Sequence, residues 1–242
     1  MTDTPDPTAP QRAIVLLSGG LDSTTTLAIA RARGFACHAL TVRYGQLHEA
    51  EISAARRVAE SLGAREHRIV AVELGRLAVS ALTGGGIAVP RDRALADIAT
   101  QGEVPATYVP ARNTVLLSLA LAWAETLGAY DLFIGVNVLD ASGYPDCRPG
   151  FVRAFEELAN AATRVAMQTS QGGPRYRVHA PLIEWSKAEI IESGLALGVD
   201  YSITHSCYDP GEGGGACGRC DACTLRRKGF DMAGVPDPTH YA

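Results

Sequence analysis

Two rhythms of hydrophobic and polar positions alternate along this chain of 242 residues. Ala13-Ile14-Val15-Leu16-Leu17 is an uncharged apolar run, the pattern of a strand covered on both faces. Thr24 to Arg33 follows with Leu27, Ala28 and Ala32 at helical spacing, so the order is strand, turn, helix. The succession repeats: His38–Val42 reads as a second buried strand, Leu47–Leu62 as a helix stopped by Gly63, and His67–Val72 as a third strand. Val72–Leu82 is weakly helical. Regularity then lapses from Thr83 to Tyr108, a length that marks a functional lid or a disordered stretch. Val109-Pro110-Ala111-Arg112-Asn113 opens a long apolar helix to Leu127, closed by Gly128. Leu132–Val136 is a fourth strand, Asn137–Pro149 a polar loop, and Phe151–Met167 a helix broken off by Gly172-Gly173-Pro174. Val178–Leu182 is a fifth strand, and Ser186-Lys187-Ala188-Glu189 has the S-x-x-E form of a capping box that opens a helix to Leu197.

Strands spaced by helices of this length predict an α/β fold with a doubly wound, mostly parallel, Rossmann-like sheet. Ligands of such sheets sit at the carboxyl ends of the strands, near the switch in strand order. Ser18–Ser23, Arg43–Gln46 and the loop after Val136 all fall on that edge and are expected to converge. The expected division is a disordered tail over 1–11, a nucleotide-binding α/β domain over 12–200, and a C-terminal metal-binding segment over 201–242 packed on the same domain.

Composition narrows the function classes. A hydrophobic content of 47%, a charged content of 20% and a net charge of −4 suit a globular protein without the basic field that holds a phosphodiester backbone. A large nucleic acid is therefore not the expected partner. No apolar run reaches the length of a membrane span, and Met1–Gln11 is polar with three prolines, unlike a signal peptide, so the expectation is a cytoplasmic protein.

The first turn carries the strongest chemistry. In Ser18-Gly19-Gly20-Leu21-Asp22-Ser23 the glycines let the backbone turn sharply beside an approaching phosphate. The helix that follows aims its unpaired N–H groups and dipole into the turn, and Ser18 and Ser23 add hydroxyls. An ordinary strand-to-helix turn with Asp22 or Ser23 as N-cap would explain an isolated Gly-Gly pair, but not the whole hexapeptide after a buried strand. The letters exclude a Walker loop, which needs a lysine, and a dinucleotide fingerprint, which needs a third glycine where Ser23 stands. Leu17–Leu27, with Thr24, Thr25 and Thr26, is the expected nucleotide-binding stretch. Farther on, Asn137, Asp140, Tyr144, Asp146 and Arg148 make a second polar wall, and Lys187, in the first turn of its helix, is placed to reach a phosphate.

Four of the six cysteines crowd together: Cys207, then nine residues, then Cys217-x2-Cys220-x2-Cys223. Four thiolates suit tetrahedral Zn2+, with no position left open, so the metal is expected to be structural, one per chain. The competing ferredoxin spacing needs a further Cys-Pro three residues on, where Thr224-Leu225-Arg226-Arg227 stands. Cys37 reads as a small core residue. Cys147 lacks a neighbouring base and reads as structural rather than nucleophilic. His48, His179 and His205 carry no specific signal.

The loop Ser18–Ser23 resembles the pyrophosphate loop of the ATP-pyrophosphatase (PP-loop) families, which implies cleavage of ATP between its α- and β-phosphates to adenylate an acceptor oxygen. Taken with Tyr44-Gly45-Gln46 and His48, Val109–Asn113, Gly135–Pro149 with its Gly-Tyr-Pro-Asp-Cys-Arg-Pro string, Pro181–Glu189, and Leu197–Ser202 through Cys223, nearly the whole chain is similar to the 7-cyano-7-deazaguanine synthase family of queuosine biosynthesis. The resemblance implies a fold like that of the adenine nucleotide alpha hydrolases, a small zinc knuckle and a homodimer. It also implies ATP-dependent, Mg2+-assisted joining of 7-carboxy-7-deazaguanine and ammonia to give the nitrile. On that reading Asp22 and Ser23 serve catalysis, with Asp22 helping to hold Mg2+ and Lys187 or Arg112 neutralising phosphate or carboxylate charge. Tyr44, Gln46, Asn113, Asn137, Asp140, Tyr144 and Asp146 are candidates for the purine-like edges.

The chain departs from the family pattern at Arg43, where an acid is commoner, at Leu47, where an arginine is commoner, and at Ala111, which replaces a glycine. Ala111 is expected to fit where φ is negative. A tRNA-modifying PP-loop enzyme that adenylates or thiolates, a relative acting on another deazaguanine-bearing acceptor or in secondary metabolism, and a non-catalytic nucleotide sensor are the rival readings. The acidic balance opposes the first and the second polar wall opposes the last.

Overall fold

Alternation along the first strand decides the layers. In a computed structural model, which describes residues 10–46, 49–84, 86–98, 104–138, 143–168, 173–211 and 213–242, β1 (Arg12–Leu16) is buried from Ala13 onward. Ala13, Val15 and Leu17 enter one core, while Ile14 and Leu16 enter the other. The first core is closed by α1 (Leu21–Ala32), α2 (Ala50–Ser61), α6 (Lys187–Ala196) and α7 (Asp221–Met232). The second is closed by α4 (Arg112–Leu127) and α5 (Pro149–Ala162). The run Ala13–Leu17, apolar at every position, thus serves two cores.

The sheet joins β1 to β2 (Ala36–Arg43), β3 (Glu66–Ala71), β4 (Asp131–Phe133) and β5 (Arg177–His179), all pairs parallel, in the order β3-β2-β1-β4-β5. The chain winds outward from β1 to β3, then crosses back to β4, so the switch point lies between β1 and β4. The doubly wound α/β sheet expected from the strand–helix rhythm is the one observed. The C-terminal segment packs on it through α7 against α6, with Phe230 and Tyr201 edge to face at 5.6 Å inside the first core.

Several boundaries differ, each for a local reason. Helix α1 starts at Leu21 with Gly20 as N-cap, so neither Asp22 nor Ser23 caps it. Val72–Leu82 forms only a 3-10 turn over Leu74–Arg76, where Gly75 is wedged against Gly45; Ala78 and Leu82 still reach the core while Leu77 and Val79 face solvent. The helix read to Met167 ends at Ala162, where Thr163 turns extended and a 3-10 turn, Arg164–Met167, follows. Within the irregular stretch, the four-residue α3 (Leu95–Ile98) is preceded by Arg91, which makes an antiparallel bridge with Cys220. The capping box at Ser186 is present, with Glu189 answering the Ser186 N–H. Ala111 takes φ 57° and ψ 17° rather than the negative φ expected of it, so an alanine occupies a left-handed position next to Arg112.

Candidate active site

The carboxyl ends of β1 and β4 open into a cavity of about 500 Å3 at the switch point. Its floor is the turn after β1. Gly19, at φ 86°, packs so closely on α2 that an added Cβ would lie 2.4 Å from the Ala55 nitrogen and 2.6 Å from the Glu51 carbonyl oxygen. Serine hydroxyls then accept the turn's N–H groups: Ser23 Oγ from Ser18 at 3.1 Å, Ser18 Oγ from Gly20 at 3.3 Å, and Ser206 Oγ from Leu21 at 3.1 Å. The His205 N–H donates to the Gly19 carbonyl at 2.9 Å. A loop held by neutral hydroxyls at a helix N-terminus suits an anion.

Asp22 projects from the first turn of α1 and meets Lys187 from the first turn of α6. The ammonium Nζ donates to both carboxylate oxygens, at 2.7 and 2.9 Å. Gly229 of α7 makes room for that lysine, since a Cβ there would fall 2.3 Å from Lys187 Cγ. Lys187 and a metal ion would therefore compete for the Asp22 carboxylate. Arg112, at the start of α4, lies with its guanidinium carbon 5.7 Å from the centre of the Tyr44 ring. Burial works against its charge, and the hydroxyls of Tyr44, Tyr144 and Tyr208 around it outweigh that effect.

The remaining expected residues divide by where their side chains go. Ser18, Gly20, Leu21, Asp22, Ser23 and Leu17 line the cavity, as do Tyr44, Gln46, Asn113, Asn137 and Tyr144. Gly19, Thr24, Thr25, Thr26 and Leu27 do not. The three threonines donate to carbonyls four residues back, and Thr25 also pairs with the Tyr201 hydroxyl at 2.7 Å. Gln46 Oε1 accepts the Tyr44 N–H at 2.8 Å, and Asn137 Nδ2 donates to the carbonyls of Leu182 and Trp185. Tyr144 bonds Thr107 at 2.7 Å. Asp146 lies outside the cavity wall: its Oδ2 accepts the Asn113 N–H at 3.0 Å and caps the start of α4, where Ala111 offers no side chain. Asp140 and His48 lie outside the described residues. Cys147 lines the cavity, but burial, helped by the Asp146 charge, pushes its thiol up to about 12, which keeps it protonated and un-nucleophilic.

Residues that sequence reasoning did not place here are Glu51, Thr107, His205, Ser206 and Tyr208. Glu51 sits in the first turn of α2, and burial raises its carboxyl from 4.5 to about 7 against the pull of Arg112. The only clue to it in the sequence was its place three residues after His48, in a stretch that otherwise reads as an amphipathic helix.

A second centre adjoins the cavity. The sulfurs of Cys207, Cys217, Cys220 and Cys223 all lie within 4.8 Å of one another, and Cys207 Sγ and Cys220 Sγ are 3.9 Å apart. Tetrahedral Zn–S bonds of about 2.3 Å put sulfurs about 3.8 Å apart, so the set fits a metal ion. The N–H groups of Asp209 and Cys217 point at Cys207 Sγ, and those of Arg219 and Cys220 at Cys217 Sγ, as donors that stabilise thiolates. Arginine–carboxylate pairs Arg91–Asp209, Arg219–Asp92 and Arg93–Asp221 tie the stretch 91–93 to this knuckle. Among the described residues, no helix is long and apolar enough to cross a membrane.

Comparison with known proteins gives the family. The family described as "Queuosine biosynthesis protein QueC" matches residues 12–234. A protein of Aromatoleum aromaticum named 7-cyano-7-deazaguanine synthase is 60% identical over 234 residues, covering 97% of this chain and 99% of its own. One of the same name from Methylococcus capsulatus is 60% identical over 229 residues, covering 95% and 98%. Among solved structures, a predicted subunit of tRNA methyltransferase from Methanocaldococcus jannaschii aligns at 14% identity over 96% of this chain and 92% of that one, with a TM-score of 0.47. With the family match running almost end to end, the chain belongs to the QueC family of queuosine biosynthesis proteins.

Proposed function

We propose that this protein is a 7-cyano-7-deazaguanine synthase, an ATP-dependent ligase that converts 7-carboxy-7-deazaguanine and ammonia to the nitrile. The observation that carries the reading is identity of 60% along nearly the full length of relatives bearing that name. The site supports it chemically. A carboxylate is a poor electrophile, so one of its oxygens must first become a leaving group. Attack of that oxygen on the α-phosphorus of ATP forms an acyl adenylate and releases pyrophosphate. Ammonia adds to the acyl carbon, AMP leaves with the oxygen, and the amide remains. The amide oxygen then attacks a second ATP. Loss of AMP with that oxygen, and of both protons from nitrogen, leaves C≡N.

The residues divide this work. The turn Ser18–Ser23 at the N-terminus of α1 receives the phosphates, and the positive end of the helix dipole with the Ser18 hydroxyl stabilises charge that grows on phosphorus oxygens. Lys187, released from Asp22, carries a positive charge to the same place, while Asp22 would hold Mg2+. When bound, that ion supplies Lewis-acid neutralisation of the phosphate oxygens. Arg112, whose nearest partners are tyrosine hydroxyls, is the cation free to pair with the substrate carboxylate. Asn137, Tyr144 and Gln46 present polar edges to a flat base. The four-cysteine centre would hold Zn2+ as a structural ion. A cytoplasmic homodimer completes the reading on the strength of the family resemblance.

Incubation of the purified protein with Mg-ATP, ammonium and 7-carboxy-7-deazaguanine, followed by mass analysis, tests the reading. Nitrile with two AMP per nitrile is expected. ATP that binds and stays intact in the presence of both co-substrates would overturn it in favour of a sensor.

A further inference from the structure

Of the acids that line the cavity, Asp22 pairs with Lys187, Asp221 with Arg93, and Asp97 is exposed, which leaves Glu51 without a part in the scheme above. Glu51 lies in the first turn of α2, and its carbonyl oxygen is part of the surface against which Gly19 packs. Its side chain faces the cavity together with Arg112 and Tyr44, both of which feel its charge. Among the described residues, no hydrogen bond or ion pair of the kind that engages Asp22 or Asp146 is made by the Glu51 carboxylate. It therefore neighbours both the phosphate turn and the cation that would hold the acceptor carboxylate.

The proposed reaction needs a base for the protons of ammonia. Ammonium is the dominant form of ammonia at neutral pH, as alkylammonium groups are, and it has no lone pair with which to attack. One proton must leave before attack and another as the amide forms. Two more leave nitrogen in the second half. Asp22 is engaged by Lys187, Asp146 caps α4, and the Cys147 thiol is held protonated. We infer that Glu51 is the catalytic base: its carboxylate binds ammonium beside the Arg112-held acyl carbon, takes a proton to release NH3, and accepts the later N–H protons in turn. Each proton passes to Glu51 and then to solvent, and the electron pair of the broken N–H bond forms the C–N bond or, in the second half, the nitrile π bonds.

Its surroundings suit that task. Burial raises the carboxyl to about 7, and the Arg112 charge from α4 stops it rising further. Tyr44 at the end of β2 is itself pushed up by burial, and Tyr144 beyond Arg112 likewise, so neither supplies a competing anion near neutrality. A base poised near the working pH both exists in its basic form and has the strength to accept a proton.

The inference rests on the synthase reading, and the test separates the two. Glu51→Gln is expected to lower the ammonium-dependent rate of nitrile formation by about 100-fold or more. It should leave substrate-dependent exchange of pyrophosphate into ATP within about threefold of wild type, because adenylation precedes any need for the base. Hydroxylamine, which is neutral and nucleophilic at pH 7, should restore acyl transfer in the variant, read as hydroxamate. In wild type the rate at fixed total ammonium should level off above about pH 8, whereas the variant should keep rising about tenfold per pH unit with free ammonia. Loss of exchange in a variant that melts normally would reassign Glu51 to substrate binding and overturn the inference. So would unchanged turnover, and so would a wild-type rate that climbs through pH 9 without levelling, a measurement that needs no variant. Absence of nitrile from wild type would instead defeat the synthase reading itself.

Discussion

The raised Glu51 carboxyl has a thermodynamic consequence that is independent of catalysis. In the unfolded chain this group titrates near its ordinary 4.5; in the folded protein burial lifts it to about 7. Between those values the native state binds the proton more tightly, so stability is fully present below about pH 4.5 and is lost as pH rises through about 7. At about 1.4 kcal/mol per pH unit between the two values, the loss approaches about 3 kcal/mol. Glu51→Gln removes the titration and keeps the shape. The variant should match wild type at pH 4.5 and exceed it by up to about 3 kcal/mol at pH 8, or about 6–12 °C in Tm for a chain of this size. Urea denaturation of the ligand-free proteins across pH 4.5–8.5 measures the difference, in which every other titrating group cancels. A difference that does not depend on pH would refute the reasoning, and one that grows toward low pH would reverse its sign.

Other perturbations follow from single contacts. Ala111→Gly should stabilise by about 0.5–1 kcal/mol, since the left-handed conformation costs alanine about 1–2 kcal/mol and the added freedom of the unfolded chain returns about 0.4–1; a loss of stability would show that the alanine methyl makes a compensating contact. Gly19→Ala should cost about 3 kcal/mol or more and abolish ATP binding by calorimetry, because the methyl would press on the backbone of Glu51 and Ala55 at a positive φ. Asp22→Asn should lower turnover by about 100-fold or more and alter its Mg2+ dependence, and full turnover with unchanged dependence would remove Asp22 from the metal. Cys220→Ser should lower bound zinc from one per chain to none by metal analysis and lower Tm; iron in the wild-type sample would refute the zinc reading.

How much of this was readable from the chain depended on how local the cause was. The uncharged run Ala13–Leu17 betrayed its strand because each of its residues faces a core, and Ser186 with Glu189 betrayed its helix start because a capping box closes within four residues. The phosphate turn and the cysteine spacing are likewise local. Thr24–Thr26 misled in part: β-branched hydroxyl residues beside a loop look available to a nucleotide, yet here they bond back into α1. Asp146 was read as part of a binding wall, while its partner, the Asn113 N–H, lies 33 positions away. Ala111 shows a local rule overridden. Its helix start is imposed by Asp146 and by Arg112 seating on Tyr44, and that packing outweighs the strain of a left-handed alanine. Glu51 was invisible because an acid in the first turn of an amphipathic helix is ordinarily solvated, and only the fold, which turns it into the cavity beside Arg112, half-buries it.

The two centres are one mechanical unit, and the connection runs through Ser206. The phosphate turn is not held by its own residues alone: the Leu21 N–H ends on Ser206 Oγ, and the Gly19 carbonyl on the His205 N–H. Both belong to the segment that leads directly into Cys207, the first of the four thiols. Past the knuckle, Arg226 of α7 reaches back with donors to the Tyr201 carbonyl and Thr204 Oγ1, while Asp237 holds its other edge. The stretch 201–206 is thus clamped at both ends, by the cysteine centre and by a buried arginine. A metal ion bound by the four sulfurs would fix the start of that clamp. Its loss would release the hold of Ser206 and His205 on the turn proposed to receive the phosphates. A metal with no open coordination position can in this way govern nucleotide affinity without touching the nucleotide, so metal removal should weaken ATP binding before it unfolds the sheet.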